Sequence, residues 1–238
     1  MTVEHEHPPE FEEHMSYRNY MRDLILGGND GLVSIFALVL GVAGGGLLPR
    51  VIFLAGAAGA IAGAISMAIG EYLSTKSQEQ VYDAEMEMER RHIEHHLDHE
   101  KEELYEFYRA KGFQGAILDE IVETIASDPE ILLKEMMMAE FGVLEDQRRS
   151  PLMATIIVGI AFAIGSLPPI LPFLFATSTF QGVMFSSIFS ITGLFIVGGF
   201  KARITRTSIL KDGMENLTLG TLGAIITYII GFFIGINI

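Results

Sequence analysis

Six side chains of metal-holding types recur at helical spacing between residues 85 and 103: Glu85, Glu89, His92, His96, Glu100 and Glu103. They are spaced 4, 3, 4, 4 and 3 residues apart. At about 100° per helical residue they fall on one narrow face. Met86, Ile93, Leu97, Leu104 and Phe107 form an apolar face to one side, so the ligands lie at the margin of a seam that a second helix can cover. A later run, Glu135-Met136-Met137-Met138-Ala139-Glu140, places Met136 and Met137 one turn before Glu140. Carboxylates at this density repel one another unless a cation neutralises them. Oxygen with imidazole suits Mn, Fe, Co or Zn, and a thioether disfavours Mg and Ca. The chain has no cysteine, which excludes thiolate sites and disulfides. The same pattern also suits a solvated acidic face over a Met-rich core, since charge runs are usually only solvated.

A second group lies in apolar sequence. Asp30 sits within Gly27-Gly28-Asn29-Asp30-Gly31, and Glu71 follows Met67 by one turn. An ionisable group in a membrane span is expensive, and marks a functional site by default. The glycines around Asp30 are expected to permit local unwinding that exposes carbonyl oxygens. The bland alternative puts Asp30 and Glu71 at the interface as caps or snorkelling groups. His5, His7 and His14 offer only a loose terminal tract.

The elements that carry these residues follow from how charge is segregated. Half of the 238 residues are hydrophobic, yet the net charge is −14. Twenty of the 30 acidic residues fall within 77–149, while 24–47, 51–73, 152–175, 183–200 and 217–236 hold almost none. Each of those five segments approaches the roughly 20 apolar residues that cross a bilayer. The predicted fold class is all-α: a polytopic membrane protein with five transmembrane helices and a three-helix cytoplasmic metal-binding domain between spans two and three. The expected divisions are 1–23, an N-terminal segment with a short amphipathic helix; 24–76, spans one and two; 77–149, the metal-binding domain; and 150–238, spans three to five. Met1 to His14 are acidic, so no cleaved signal is expected.

Arg18, Arg22, Lys76, Arg148, Arg149, Lys201, Arg203, Arg206 and Lys211 fall on one side of this topology, and only Arg50 on the other. That bias puts the N-terminus and the central domain in the cytoplasm and the C-terminus outside. Gly56, Ala60, Ala64 and Ala68 recur every four residues in span two, a stripe that lets helices approach closely. No breaker separates residue 51 from Arg109, so span two is expected to run on as one helix to about Lys111, ended by Gly112. A short helix over 114–126 follows. A third is capped by Asp128, has Pro129 in its first turn and ends near Arg148.

Three motifs resemble the vacuolar iron transporter family. They are Gly27-Gly28-Asn29-Asp30-Gly31-Leu32-Val33-Ser34, Ser66-Met67-Ala68-Ile69-Gly70-Glu71-Tyr72-Leu73-Ser74 and Lys201-Ala202-Arg203-Ile204-Thr205. The resemblance covers nearly everything from Tyr17 onward. It implies a homodimer of five-span protomers that exchanges divalent metal for protons, with Fe2+ as substrate. It places a transmembrane metal site at Asp30 and Met67, with Asp30 and Glu71 as candidates for proton coupling. It matches Glu89, Glu100, Glu103, Met136, Met137 and Glu140 to the family's cytoplasmic ligands. His92 stands where the family usually has Glu, which admits Zn2+, Mn2+ or Co2+ beside Fe2+. The implied location is the vacuolar membrane in a eukaryote and the cell membrane in a prokaryote. Partners are metal ions, protons, lipid and a second copy; no nucleic acid is expected.

The reading that follows is a transporter that moves ferrous iron out of the cytosol, and not an enzyme. Two rivals stand beside it. One is a membrane-anchored ferritin-like metal oxidase or sensor, which wants a Glu-x-x-His motif on each of two facing helices. Only Glu89–His92 is readily seen. The other is the same transporter selective for Mn2+ or Zn2+. Residues 77–149 are expected to bind transition metals even when expressed alone.

Overall fold

The computed structural model describes residues 10–142 and 148–237, with side-chain surroundings from Tyr20 onward. His5 and His7 lie outside these residues, as does the side chain of His14. The described residues form helices alone: α1 (Glu10–Gly44), α2 (Pro49–His95), α3 (Leu97–Ala110), α4 (Ala116–Ala126), α5 (Pro129–Phe141), α6 (Pro151–Gly165), α7 (Leu167–Phe175), α8 (Thr179–Thr205) and α9 (Ile209–Ile236). Among the described residues, five stretches are long and apolar enough to cross a membrane: Tyr20–Gly44, Pro49–His95, Pro151–Phe175, Thr179–Thr205 and Ile209–Ile236. The third is built from two helices, α6 and α7, which meet at Ser166 before Pro168 and Pro169. The short N-terminal helix expected over 1–23 is not separate, because α1 runs unbroken from Glu10 into the first span.

The chain divides into two units, one built on 74–150 and the other on 17–73 with 151–238. In the apolar unit, α1 is the central element. One face of it, Leu32, Phe36 and Leu40, packs on Leu194 of α8 and Ala224 of α9. Another, Ile35, Val39 and Ala43, packs on Ile52, Phe162, Ile170 and Phe173. Lipid tails are as apolar as these side chains, so close packing rather than water exclusion holds such helices together.

Glycines set that packing, and they correct one expectation. The Gly27–Gly31 segment is helical throughout, so the unwinding expected around Asp30 does not occur. Its glycines bring α1 against α6 backbone to backbone. A β-carbon on Gly27 would lie 2.6 Å from the Val158 carbonyl oxygen, and one on Gly31 would collide with that of Phe162. Gly31→Val is therefore expected to lower stability by at least about 1–3 kcal/mol, since overpacking forces backbone shifts. A lower unfolding temperature in detergent and loss of the sharp size-exclusion peak would register it. An unchanged melt would show that α1 and α6 can separate freely. The small-residue stripe of α2 is used similarly: Ala60 and Ala64 pack on the cluster around Phe162, and a β-carbon on Gly56 would meet Val39 at 2.8 Å. The opposite face of α2 leaves Leu54, Ile61, Ile65 and Ile69 exposed.

The acidic unit has its own core. Tyr82, Ile93, Leu104, Leu118, Val122, Leu132, Leu133, Met136 and Met137 are buried together. Burying a large apolar side chain stabilises by about 1.5–3 kcal/mol, so this cluster offsets much of the cost of crowding carboxylates beside it. Asp128 caps α5 as expected, accepting from the backbone N–H of Glu130 at 2.9 Å and of Ile131 at 3.4 Å. The helix ends sooner than expected, at Phe141, where Gly142 adopts the left-handed conformation (φ 65°) that favours glycine. Gly112 (φ 100°) makes the turn after α3, also as expected.

The main departure is at His96. The helix expected to continue to Lys111 stops at His95, His96 leaves helical geometry (φ −137°, ψ 36°), and α3 starts at Leu97. Among the described residues of 74–150 there are thus four helical segments rather than three, and the bend builds the site.

Candidate metal centre

On a straight helix Glu89 and Glu100 would lie about 16 Å apart along the axis, at 1.5 Å per residue. The bend at His96 lets their side chains converge. Glu89, Glu100 and Glu140 each bring a carboxylate oxygen within 4.8 Å of the others. The side chains of Glu89 and Glu100 are each only 2% exposed. Glu89 Oε1 and Glu100 Oε2 are buried with no hydrogen-bond partner. Glu140 reaches the group from α5 and keeps an exposed side, which leaves an approach from solvent.

The other expected ligands lie around this core. His92 Nδ1 is 3.7 Å from Glu100 Oε1 and 4.0 Å from Glu89 Oε2. Glu103 lies beside Glu140 and helps hold its carboxyl above the ordinary carboxylate range. Met136 and Met137 are buried in the apolar core with Ile93 and Leu104, one turn before Glu140. Glu85 does not join; it lines a separate cavity of about 560 Å³ with Tyr82 and Arg148. Leu97, expected in the seam, is exposed because the bend turns it outward.

The electrostatics are those of a cation site. At 4–5 Å and an effective dielectric near 20, two full negative charges repel by roughly 3–4 kcal/mol. The carboxylates respond by holding protons. Burial, a hydrogen bond to Glu100 and the charges of Glu100, Glu140 and Glu103 push Glu89 up to about 8. Burial, the hydrogen bond to Glu103 and the charges of Glu103 and Glu100 push Glu140 up to about 7. A divalent ion would replace those protons and satisfy the two unpartnered oxygens at once.

The intramembrane residues are arranged differently. Asp30 lines a cavity of about 530 Å³ with Arg22, Asn29, Lys201 and Asn216. Met67 packs instead on the apolar cluster that holds Ile35 and Phe162. Met67 is not among the residues that line the Asp30 cavity. Glu71 is half-buried on α2, one turn beyond Met67.

Sequence reasoning missed two features. Asn216 of α9 donates to Asn29 Oδ1 and to the Leu194 carbonyl oxygen, both at 2.8 Å, tying α9 to α1 and α8 beside Asp30. Polar residues in a span were the available signal, but nothing in the sequence pairs two asparagines 187 positions apart. Arg148 donates to Glu79 at 2.6 Å and Asp83 at 2.8 Å, and stacks over the Tyr82 ring at 5.0 Å, closing the acidic unit on itself.

Comparison with known proteins follows the same outline. A family model described as the VIT family matches residues 21–232. The chain is 30% identical to vacuolar iron transporter 1 of Tulipa gesneriana over 217 residues, covering 91% of this chain and 88% of that protein. It is 30% identical to vacuolar iron transporter 1 of Arabidopsis thaliana over 213 residues, 90% and 85% of the two chains. The vacuolar iron transporter of Plasmodium falciparum is 26% identical over 236 residues, 95% of this chain and 86% of its own length.

Proposed function

The chain belongs to the VIT family, and from that premise we propose that it carries ferrous iron out of the cytosol across a membrane while protons move the other way. The observation that carries this reading is the convergence of Glu89, Glu100 and Glu140, with two buried carboxylate oxygens left unpartnered. Relatives named vacuolar iron transporter support iron as the substrate.

The steps follow from the residues. The acidic unit faces the cytosol, where the basic residues flanking the spans place it. Its carboxylates collect Fe2+ and release their shared protons as the ion binds. Met136 and Met137 add soft donors that disfavour Mg2+ and Ca2+. The ion then passes to Asp30 and Met67. Met67 is not among the residues that line the Asp30 cavity, which supports a site completed by a second copy in a homodimer. Asp30 and Glu71 take up and release the counter-moving protons. The membrane is the vacuolar one in a eukaryote and the cell membrane in a prokaryote.

His92 favours a broader selectivity than carboxylates alone would give, because imidazole suits Zn2+ and Co2+. Calorimetry on the intact chain in detergent tests the capture step. Fe2+, Co2+ and Zn2+ are expected to bind with heats that Mg2+ does not produce, and Glu100→Gln with Glu103→Gln to weaken them. If no transition metal binds better than Mg2+, or the double substitution changes nothing, the cluster is a solvated acidic face.

A further inference from the structure

Asn216 is a part-buried amide on α9 that joins three helices. Its Nδ2 lies 2.8 Å from the carbonyl oxygen of Leu194 on α8 and 2.8 Å from Oδ1 of Asn29 on α1. A carbonyl can only accept, so the atom that faces Leu194 is nitrogen. That one nitrogen spends both of its hydrogens, which fixes how the amides of Asn216 and of Asn29 are turned. Asn29 immediately precedes Asp30, and both asparagines line the cavity that Asp30 lines.

The two ends of this contact are mounted differently. On either side of Asn216, α9 is packed closely on α8. A β-carbon on Gly198 would lie 2.6 Å from the Asp212 carbonyl oxygen, one on Gly213 2.7 Å from the Phe195 ring, and one on Gly220 2.7 Å from Leu194. Asn216 therefore stands on a fixed hairpin. Beside Asp30, by contrast, α1 meets α6 through Gly27 and Gly31, backbone on backbone. Helices interlock through side-chain ridges and grooves. A glycine face sets how closely two helices approach but offers no ridge against turning. Interlocking resumes at Leu32, which packs on Leu194. Neighbouring helical residues point about 100° apart, so pinning Asn29 to α9 sets the direction in which Asp30 points.

We propose that Asn216 is a positioning residue for transport: through Asn29 it holds the turn of α1 that bears Asp30, so that the carboxyl stays aimed into the cavity shared with Arg22 and Lys201. Asn216 acts through its neighbour and not as a ligand of the ion. The proposal rests on the role of Asp30 proposed above. A second hydrogen bond joins the same two helices and provides the comparison. Thr227 Oγ1 of α9 donates to the Ala37 carbonyl oxygen of α1 at 2.8 Å, about two turns beyond Asp30. If any tie between α1 and α9 served transport, the two would matter equally. If the aim of Asp30 is what matters, only the contact at Asn29 does.

The test is Fe2+ flux into sealed vesicles, with unfolding temperature in detergent measured on the same proteins. The chains compared are the wild type, Asn216→Ala, Asn29→Ala, the two together, Thr227→Val and Asp30→Asn. Asn216→Ala and Asn29→Ala are each expected to lower the maximal flux roughly tenfold or more, the scale on which misplacing a reacting group acts. The double variant is expected to be no slower than either single one, because all three lose the same contact. Thr227→Val is expected to transport at the wild-type rate. Unfolding temperatures are expected to stay near that of the wild type, since hydrogen bonds between helices in lipid contribute little to stability. Wild-type flux from both asparagine variants, with Asp30→Asn inactive, would overturn this proposal alone. Wild-type flux from Asp30→Asn would overturn the role of Asp30 and this proposal with it. Additive losses in the double variant, or an equal loss in Thr227→Val, would also overturn it, because the asparagines would then be independent structural ties.

Discussion

Asp30→Ala is expected to reduce metal flux to the level of protein-free vesicles while the protein stays folded. Asp30 is a carboxylate within a helix that is otherwise long and apolar enough to span the bilayer. Holding it there costs free energy that only a function or a cationic partner offsets. Its cavity contains Arg22 and Lys201, cations able to neutralise it when no metal is present, and Asn29 and Asn216, whose hydrogen bond fixes the backbone beside it. The fold does not need the carboxylate. The close approach to α6 is made by Gly27 and Gly31, and the buried faces of α1 are Leu32, Ile35, Phe36 and Val39. The substitution should therefore leave the size-exclusion profile and thermal unfolding near those of the wild type. Asp30→Asn keeps the size and removes the charge, and is expected to be equally inactive. Wild-type flux from either variant would remove Asp30 from the mechanism.

Without metal, the acidic unit is expected to lose stability as pH rises from about 4.5 to 8. Glu89 is held up to about 8 and Glu140 up to about 7, against an ordinary value of 4.5. Both pKa values are raised in the fold, so the folded chain binds protons that the unfolded chain has already released. That stabilisation is complete below about 4.5 and is lost as pH passes through 7 to 8. A bound divalent ion reverses the trend, because it neutralises the same carboxylates that repulsion destabilises. At a free concentration about 100 times its Kd, an ion that binds only the folded state adds about 2.7 kcal/mol. Its benefit is expected to be large at pH 7.5 and to vanish near pH 5, where protons compete for the same oxygens. Hydrogen exchange in α3, α4 and α5 of the intact chain measures this locally. Glu89→Gln with Glu100→Gln is expected to flatten the pH dependence and cancel the metal response. Protection that rises with pH in metal-free wild type would contradict the description of the cluster.

The two halves of the molecule were legible in the sequence to different degrees. The spans could be read because about 20 apolar residues have few other uses, and the Asp128-Pro129 start of α5 because side-chain and ring chemistry act locally. The glycines beside Asp30 could be seen to be special, but not how. The same residues permit unwinding or close approach, and the partner carbonyls at Val158 and Phe162 are more than 120 positions away. The bend at His96 was hidden because no glycine or proline marks it; tertiary packing of Leu104 against Ile93 and Met136 overrides local helix preference there. Glu89, Glu100 and Glu140 were nevertheless legible as candidates, and their carboxylates come within 4.8 Å of one another. Spacing marked Glu89 and Glu100 as one face, but only the bend brings their carboxylates together, while Glu85 lines a separate cavity.

The most direct measurement is iron uptake into sealed vesicles that contain the purified chain, with a pH-sensitive dye trapped in the lumen. Fe2+ is added on the side that exposes the acidic unit. The account predicts that Fe2+ enters, that the lumen turns alkaline in step as protons leave, and that an imposed inside-acid gradient accelerates uptake. Iron entry that ignores the gradient and moves no protons would contradict it and point to a channel.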